Sequence, residues 1–224
     1  MMMNLFSTFD PTTSSLFSLN WICLFSSILF IPLTYWIIPS RLNFIWLIVF
    51  KTLYKEFKTI LNKKENIGSN MIITPVFMVI ALSNFLGLFP YIFTSTSHLS
   101  ITLALSLPFW LSFMFMGWWN NSIHMLAHLV PQGAPGILLP FLVIVETISN
   151  IIRPGTLAVR LSANMIAGHL LLTLMSNSCT MSPMILSWTI VVSQMALMIL
   201  ELAVAFIQAY VFSILTTLYL SEIN

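Results

Sequence analysis

Two runs near the C-terminus restrict the fold more than any other feature. Residues 137 to about 176, and then 184 to 220, stay apolar and helix-compatible almost without interruption. As α-helices they extend to about 60 Å and about 55 Å at the usual rise per residue. The hydrocarbon core of a bilayer is only about 30 Å thick. An upright helix cannot absorb that mismatch, and neither can the common tilt of roughly 20°. Each run must be strongly tilted, broken or laid along the membrane. Pro140 and the triplet Arg153-Pro154-Gly155 are the candidate breaks in the first run. The short stretch Asn177 to Pro183 turns one run into the other, which makes an antiparallel hairpin.

Composition supplies the membrane. Of 224 residues, 58% are hydrophobic and 6% charged, against about 25% charged in a soluble domain. Six of the eight basic residues, Arg41, Lys51, Lys55, Lys58, Lys63 and Lys64, fall in one connection, and no Lys or Arg precedes Arg41. The positive-inside rule puts that connection on the side of synthesis and the N-terminus on the other. So short a cluster beside membrane spans calls for no nucleic acid. Cys23 and Cys179 are far apart and lack a metal-ligand spacing, so they read as structural thiols. The start, MMMNLFSTFDPTTSS, has no basic n-region, and no cleaved leader is expected.

In chain order, residues 1–20 form a polar N-terminal segment. Residues 21–38 are long enough for a first span, with Pro32 as a kink that a membrane helix tolerates. Residues 43–62 carry Lys51, Lys55 and Lys58 on one side and Leu47, Phe50, Tyr54, Phe57 and Leu61 on the other. That pattern predicts an amphipathic helix on the membrane surface. Residues 71–119 hold the second and third spans, separated by Pro90 and a polar loop containing His98, and ending at the interfacial pair Trp118-Trp119. A loop rich in Pro and Gly leads to the hairpin at 137–220. The expected fold is a single all-α integral membrane domain, residues 1–224. It has about five membrane helices, a surface amphipathic helix and a C-terminal hairpin of two long, strongly tilted helices. No internal repeat is visible, so the inverted-repeat transporter plan lacks support.

The hairpin keeps ionisable groups where they are costly. An ionised side chain at bilayer depth costs roughly 2.5–3.5 kcal/mol even on lenient scales. Yet the first run holds Glu146, Arg153, Arg160, Asn164 and His169, and the second holds Glu201 and Gln208. At 100° per residue, Arg160, Asn164 and Ala167 share a face, and Gln194, Glu201, Ala205 and Gln208 make a matching stripe. Ala163, Ala167, Gly168, Ala203, Ala205 and Ala209 flank these residues and permit close helix approach. His169 points away from Arg160, roughly 13 Å along the axis. With the turn centred near residue 180, Glu201 falls level with Arg160. That allows a structural ion pair, or a proton path in which arginine holds its charge while glutamate and histidine titrate. Glu146 is either a partner of Arg153 or a proton-path carboxylate. His124 and His128 have an i, i+4 metal spacing but no third ligand, and read as loop or interface histidines. His98 reads as a solvated loop residue. No phosphate loop, nucleophile triad or haem pair is present, and neither a cofactor nor a metal is expected.

The segment VPQGAPGILLPFLVIVETISNIIRPGTLAVRLSANMIAGHLLLTL, with LELAVAFIQAYVFSILTTLYL and FLGLFPYIFTSTSHL, resembles subunit a of mitochondrial ATP synthases. The resemblance covers essentially the whole chain except the first 20 residues. It implies a non-catalytic proton-translocating stator subunit of the inner mitochondrial membrane, with two half-channels against a rotating c-ring. Its other implied partners are membrane-sector and peripheral-stalk subunits. Arg160 matches the stator arginine facing the ring, and Asn164 and Gln208 match its polar neighbours. His169 and Glu201 match the half-channel from the intermembrane space, and Glu146 a carboxylate near the matrix exit. Two other readings stay open. A secondary transporter would need repeated halves or a half-helix substrate site. A structural assembly subunit would tolerate loss of Arg160 and Glu201 together.

Overall fold

The computed structural model describes residues 5–13, 17–33, 35–61, 67–130, 138–181 and 183–223. Lys63, Lys64 and most of the Pro/Gly-rich loop lie outside these residues. The described chain forms seven α-helices: α1 Cys23–Leu29, α2 Arg41–Ile60, α3 Ile67–Gly87, α4 Leu99–Asn120, α5 Ser122–His128, α6 Leu139–Met181 and α7 Met184–Ile223. Short 3-10 turns occupy Leu5–Phe9, Leu19–Ile22 and Ser95–Ser97. No strand occurs among the described residues, as expected for an all-α membrane protein. Four helices (α3, α4, α6 and α7) are long and apolar enough to cross a membrane.

The first apolar run differs from its expected form. Helix covers only Leu19–Leu29 of it, and the described residues from Ile31 to Ser40 are not helical. Pro32 and Pro39 lack backbone donors and disfavour helix in the residue before them, and the described residues Leu33 and Tyr35 to Ile38 have little burial to offset that. Their large side chains are mostly exposed. By contrast Pro75, Pro108 and Pro154 sit inside continuous helices, as membrane helices tolerate.

Helix α2 begins at Ser40, whose hydroxyl accepts from the Asn43 amide at 3.4 Å, an ordinary N-cap arrangement. Lys51, Lys55 and Lys58 form its exposed side. The opposite side is anchored only towards the C-terminal end. There Phe57, fully buried, packs with Leu61, Ile73 of α3, Phe113 of α4 and Leu220 of α7. The Asn70 side-chain amide also donates to the Tyr54 carbonyl at 3.1 Å.

The second cluster positions the hairpin. Ile80 and Ala81 of α3, Leu157 and Leu161 of α6, and Ala209 and Phe212 of α7 meet at one junction. Ala209 is wholly buried and Ala205 nearly so, so small residues bring α7 close to its neighbours. Two buried hydroxyls of α7 are satisfied within the helix: Ser213 donates to the Tyr210 carbonyl at 2.8 Å and Thr217 to that of Ile214 at 2.7 Å. Phe57→Ala is expected to cost about 3 kcal/mol by opening a core cavity. The expected readout is lower melting temperature and faster proteolysis at Lys51–Lys58, with α6 and α7 remaining protected.

Candidate functional site

Helices α6 and α7 have 43 and 40 residues, about 64 and 60 Å as regular helix. Neither breaks: α6 runs through Pro154, and the break allowed by the Arg-Pro-Gly triplet does not occur. Helix α6 also continues through Asn177 to Met181, so the connection is shorter than the Asn177–Pro183 turn expected.

That extension changes the register. Moving the turn centre from about 180 to between 182 and 183 slides Glu201 along α6, away from Arg160. In addition, helical side chains lean towards their own N-terminus, which for α7 is the end at the turn. The Glu201 carboxylate consequently lies on Gly168: a Cβ placed there meets Oε1 at 2.7 Å. Gly168 is eight residues beyond Arg160, about 12 Å along the axis. The Arg160–Glu201 ion pair is therefore not formed, and the level assigned to Glu201 from the longer turn expected at Asn177–Pro183 is corrected.

Arg160 is instead exposed, on the same open side as Val159, Ala163 and Ala167. The surface of the hairpin continues with exposed Leu171 and Leu174 on α6 and Ile199, Leu200, Ile207 and Tyr210 on α7. Asn164 and Gln208 are half-buried. The small residues thus divide their work: Gly168, Ala205 and Ala209 make room for contacts inside the molecule, whereas Ala163 and Ala167 leave the face beside Arg160 low and open.

Towards the turn, His169 and Glu201 are half-buried, with His169 Nε2 and both Glu201 carboxylate oxygens buried and without a protein hydrogen-bond partner. Asn84 of α3, fully buried, is unpartnered at both amide atoms, as are Thr96 Oγ1 and Ser106 Oγ. Leaving a buried polar group unpaired costs about 1–3 kcal/mol, and native proteins rarely accumulate such groups. Asn84 lies next to Phe85, whose ring meets Phe206 of α7 at 6.2 Å. In the sequence, Asn84 is a polar residue in the outer half of the apolar stretch 71–89. An amide in so apolar a segment was the available signal, but its depth is set by packing against α7.

At the opposite end, Arg153 Nη2 lies 3.8 Å from Glu146 Oε1, both partly exposed at 29% and 35%. The guanidinium also sits 5.0 Å from the centre of the Tyr219 ring. The contact is ionic rather than a hydrogen bond at that distance, and it leaves the carboxylate open to solvent. Arg153 further borders an apolar cavity of about 290 Å³ with Trp110, Trp118 and His128. His124 and His128 are exposed on α5, and among the described residues no three His, Cys, Asp or Glu side chains gather in a way that could hold a metal. His98 is not the solvated loop residue expected: it is half-buried, with Nε2 3.0 Å from the Phe9 carbonyl. Cys23 and Cys179 are half-buried and not disulfide-linked.

The profile of the family described as ATP synthase A chain matches residues 12–221. The chain is 58% identical over 224 residues to ATP synthase subunit a of Drosophila melanogaster, with all of both chains covered. It is 58% identical to that of Anopheles gambiae and 56% identical to that of Locusta migratoria, each over 227 residues and again across both full lengths. Matched from end to end at this level, with four apolar helices able to cross a membrane, the chain belongs to the ATP synthase subunit a family, a multi-pass, non-catalytic component of the F-type ATP synthase membrane sector.

Proposed function

We propose that this chain is the proton-conducting stator that faces a rotating c-ring, with Arg160 as the gate between two offset half-channels. The observation that carries the reading is the position of Arg160: a permanent cation exposed on an otherwise apolar helical face. A guanidinium does not discard its charge at biological pH. On a surface turned to lipid it is unstable unless a counter-charge comes to it. An apolar ring surface bearing one carboxylate per subunit is complementary to that face. Arg160 attracts each ionised carboxylate and bars a direct proton leak, and Asn164 and Gln208 are its polar neighbours.

His169, Glu201 and Asn84 form the inlet side, reached from the intermembrane space. Their unpartnered atoms call for water, and a hydrated histidine and glutamate can pass protons in steps. Glu146, water-accessible beside Arg153, serves the outlet at the matrix end of the hairpin. The two regions lie on opposite sides of Arg160 along α6. A proton arriving from His169 and Glu201 neutralises a ring carboxylate, which can then turn through lipid without a buried charge. Near the end of a rotation it reaches the outlet and releases the proton. Each proton crossing 100 mV contributes about 2.3 kcal/mol, so several are used per ATP. In the inner mitochondrial membrane this orientation puts the N-terminus in the intermembrane space and the exposed lysines of α2 on the matrix side.

The assembled synthase carrying Arg160→Ala is expected to lose coupled proton transport and to gain a passive leak. Arg160→Lys keeps the charge but lacks the planar fork, and recovers only part of the coupling. Normal coupling in the double variant Arg160→Ala/Glu201→Ala would reduce both residues to structural groups and end the rotary-gate assignment. Gly168→Ala gives an independent check on the inlet. Its methyl group displaces the Glu201 carboxylate at a folding cost of about 1 kcal/mol, that of an off-rotamer side chain. Proton-driven ATP synthesis should fall several-fold while the melting temperature of the complex stays near that of the unaltered protein; an unchanged rate would remove Glu201 from the inlet.

A further inference from the structure

The N-terminal 3-10 turn Leu5–Phe9 makes two contacts at its last residue that join distant parts of the chain. The Phe9 ring meets the imidazole of His169 edge-on, with centroids 6.4 Å apart and planes at 84°. Its carbonyl oxygen lies 3.0 Å from Nε2 of His98. A carbonyl can only accept, so Nε2 of His98 carries the proton and donates it. His98 itself packs against two aromatic rings, Trp21 at 5.2 Å and Phe93 at 5.3 Å, which meet each other at 6.0 Å, so the three rings form one cluster. The backbone just before His98 runs through Thr94 to Ser97, all four buried. Beyond Phe9 the strap is tied down again, where the Asn20 side-chain amide donates to the Asp10 carbonyl at 3.2 Å.

We infer that His98 is a positioning residue: through the Phe9 carbonyl it holds the turn Leu5–Phe9 as a cover over His169. The edge of Phe9 fixes one side of the His169 imidazole and keeps bulk solvent and lipid from it. Nε2, buried without a protein partner, is left for the water of the inlet. The strap carries Ser7, Thr8, Asp10, Thr12 and Thr13, which suits the polar boundary of a membrane rather than its interior. The consequence for transport rests on the proposed place of His169 on the proton path; the cover itself does not.

The test is the rate at which diethyl pyrocarbonate modifies His169 in the intact, solubilised synthase, read by mass spectrometry against the exposed His128 as internal reference. His98→Ala is expected to raise the His169 rate about two- to tenfold, the factor one net hydrogen bond is worth in an opening equilibrium. His98→Gln, whose amide can donate to the same carbonyl, should stay close to the original rate. Phe9→Ala removes the cover without touching the loop and should raise the rate as well, so a His98→Ala complex that fails to assemble leaves the question answerable. Unchanged reactivity of His169 in assembled His98→Ala or Phe9→Ala complexes overturns the inference. Raised reactivity with undiminished proton-driven ATP synthesis upholds the cover and removes His169 from the path.

Discussion

Polar and ionised groups are costly in a medium that cannot solvate them, and the arrangement of α6 and α7 follows from how each such group meets that cost. Ser213 and Thr217 bond to carbonyls of their own helix. Arg153 finds Glu146 and the face of Tyr219. Glu201, His169 and Asn84 keep buried atoms that no protein group satisfies, and Arg160 stands on the open apolar surface. The first two solutions are complete within the chain. The last two call for water or another subunit to meet the cost.

Length makes the separation possible. Because α6 and α7 are about twice as long as the bilayer is thick, a single helix has room for polar groups at several depths in sequence. Glu146, Arg160 and His169 are spread along α6 in that order. A short upright helix would hold one such group near the midplane. A slanted pair of long helices can hold two separate aqueous approaches with an arginine between them, which is the geometry that the proposed mechanism uses.

Close approach sets the finer detail. Ala205 and Ala209 draw α7 against its neighbours, and Gly168 receives the Glu201 carboxylate where any larger residue would displace it. Substituting bulk at these positions would move the polar groups without altering their identity. The N-terminal strap adds a layer at the turn end of the bundle, joining residues 89 positions apart through the His98–Phe9 bond.

Much of this was legible from composition and spacing. The membrane setting, the helical class, the overlong hairpin and the polar residues that interrupt it all follow from properties each residue carries by itself, chiefly hydropathy and the 3.6-residue period. The family follows from the motif around Arg160. What the linear pattern could not supply was register and depth. The level of Glu201 depended on where α6 ends, and Asn177 and Ser178 continued the helix despite being polar. The first run looked long enough to span, but its prolines, with little burial to offset them, stopped the helix at Leu29. His98 read as solvated because its partners, Phe9, Trp21 and Phe93, are mostly remote in sequence. Local periodicity determines which face a side chain occupies; only tertiary packing determines what that face meets.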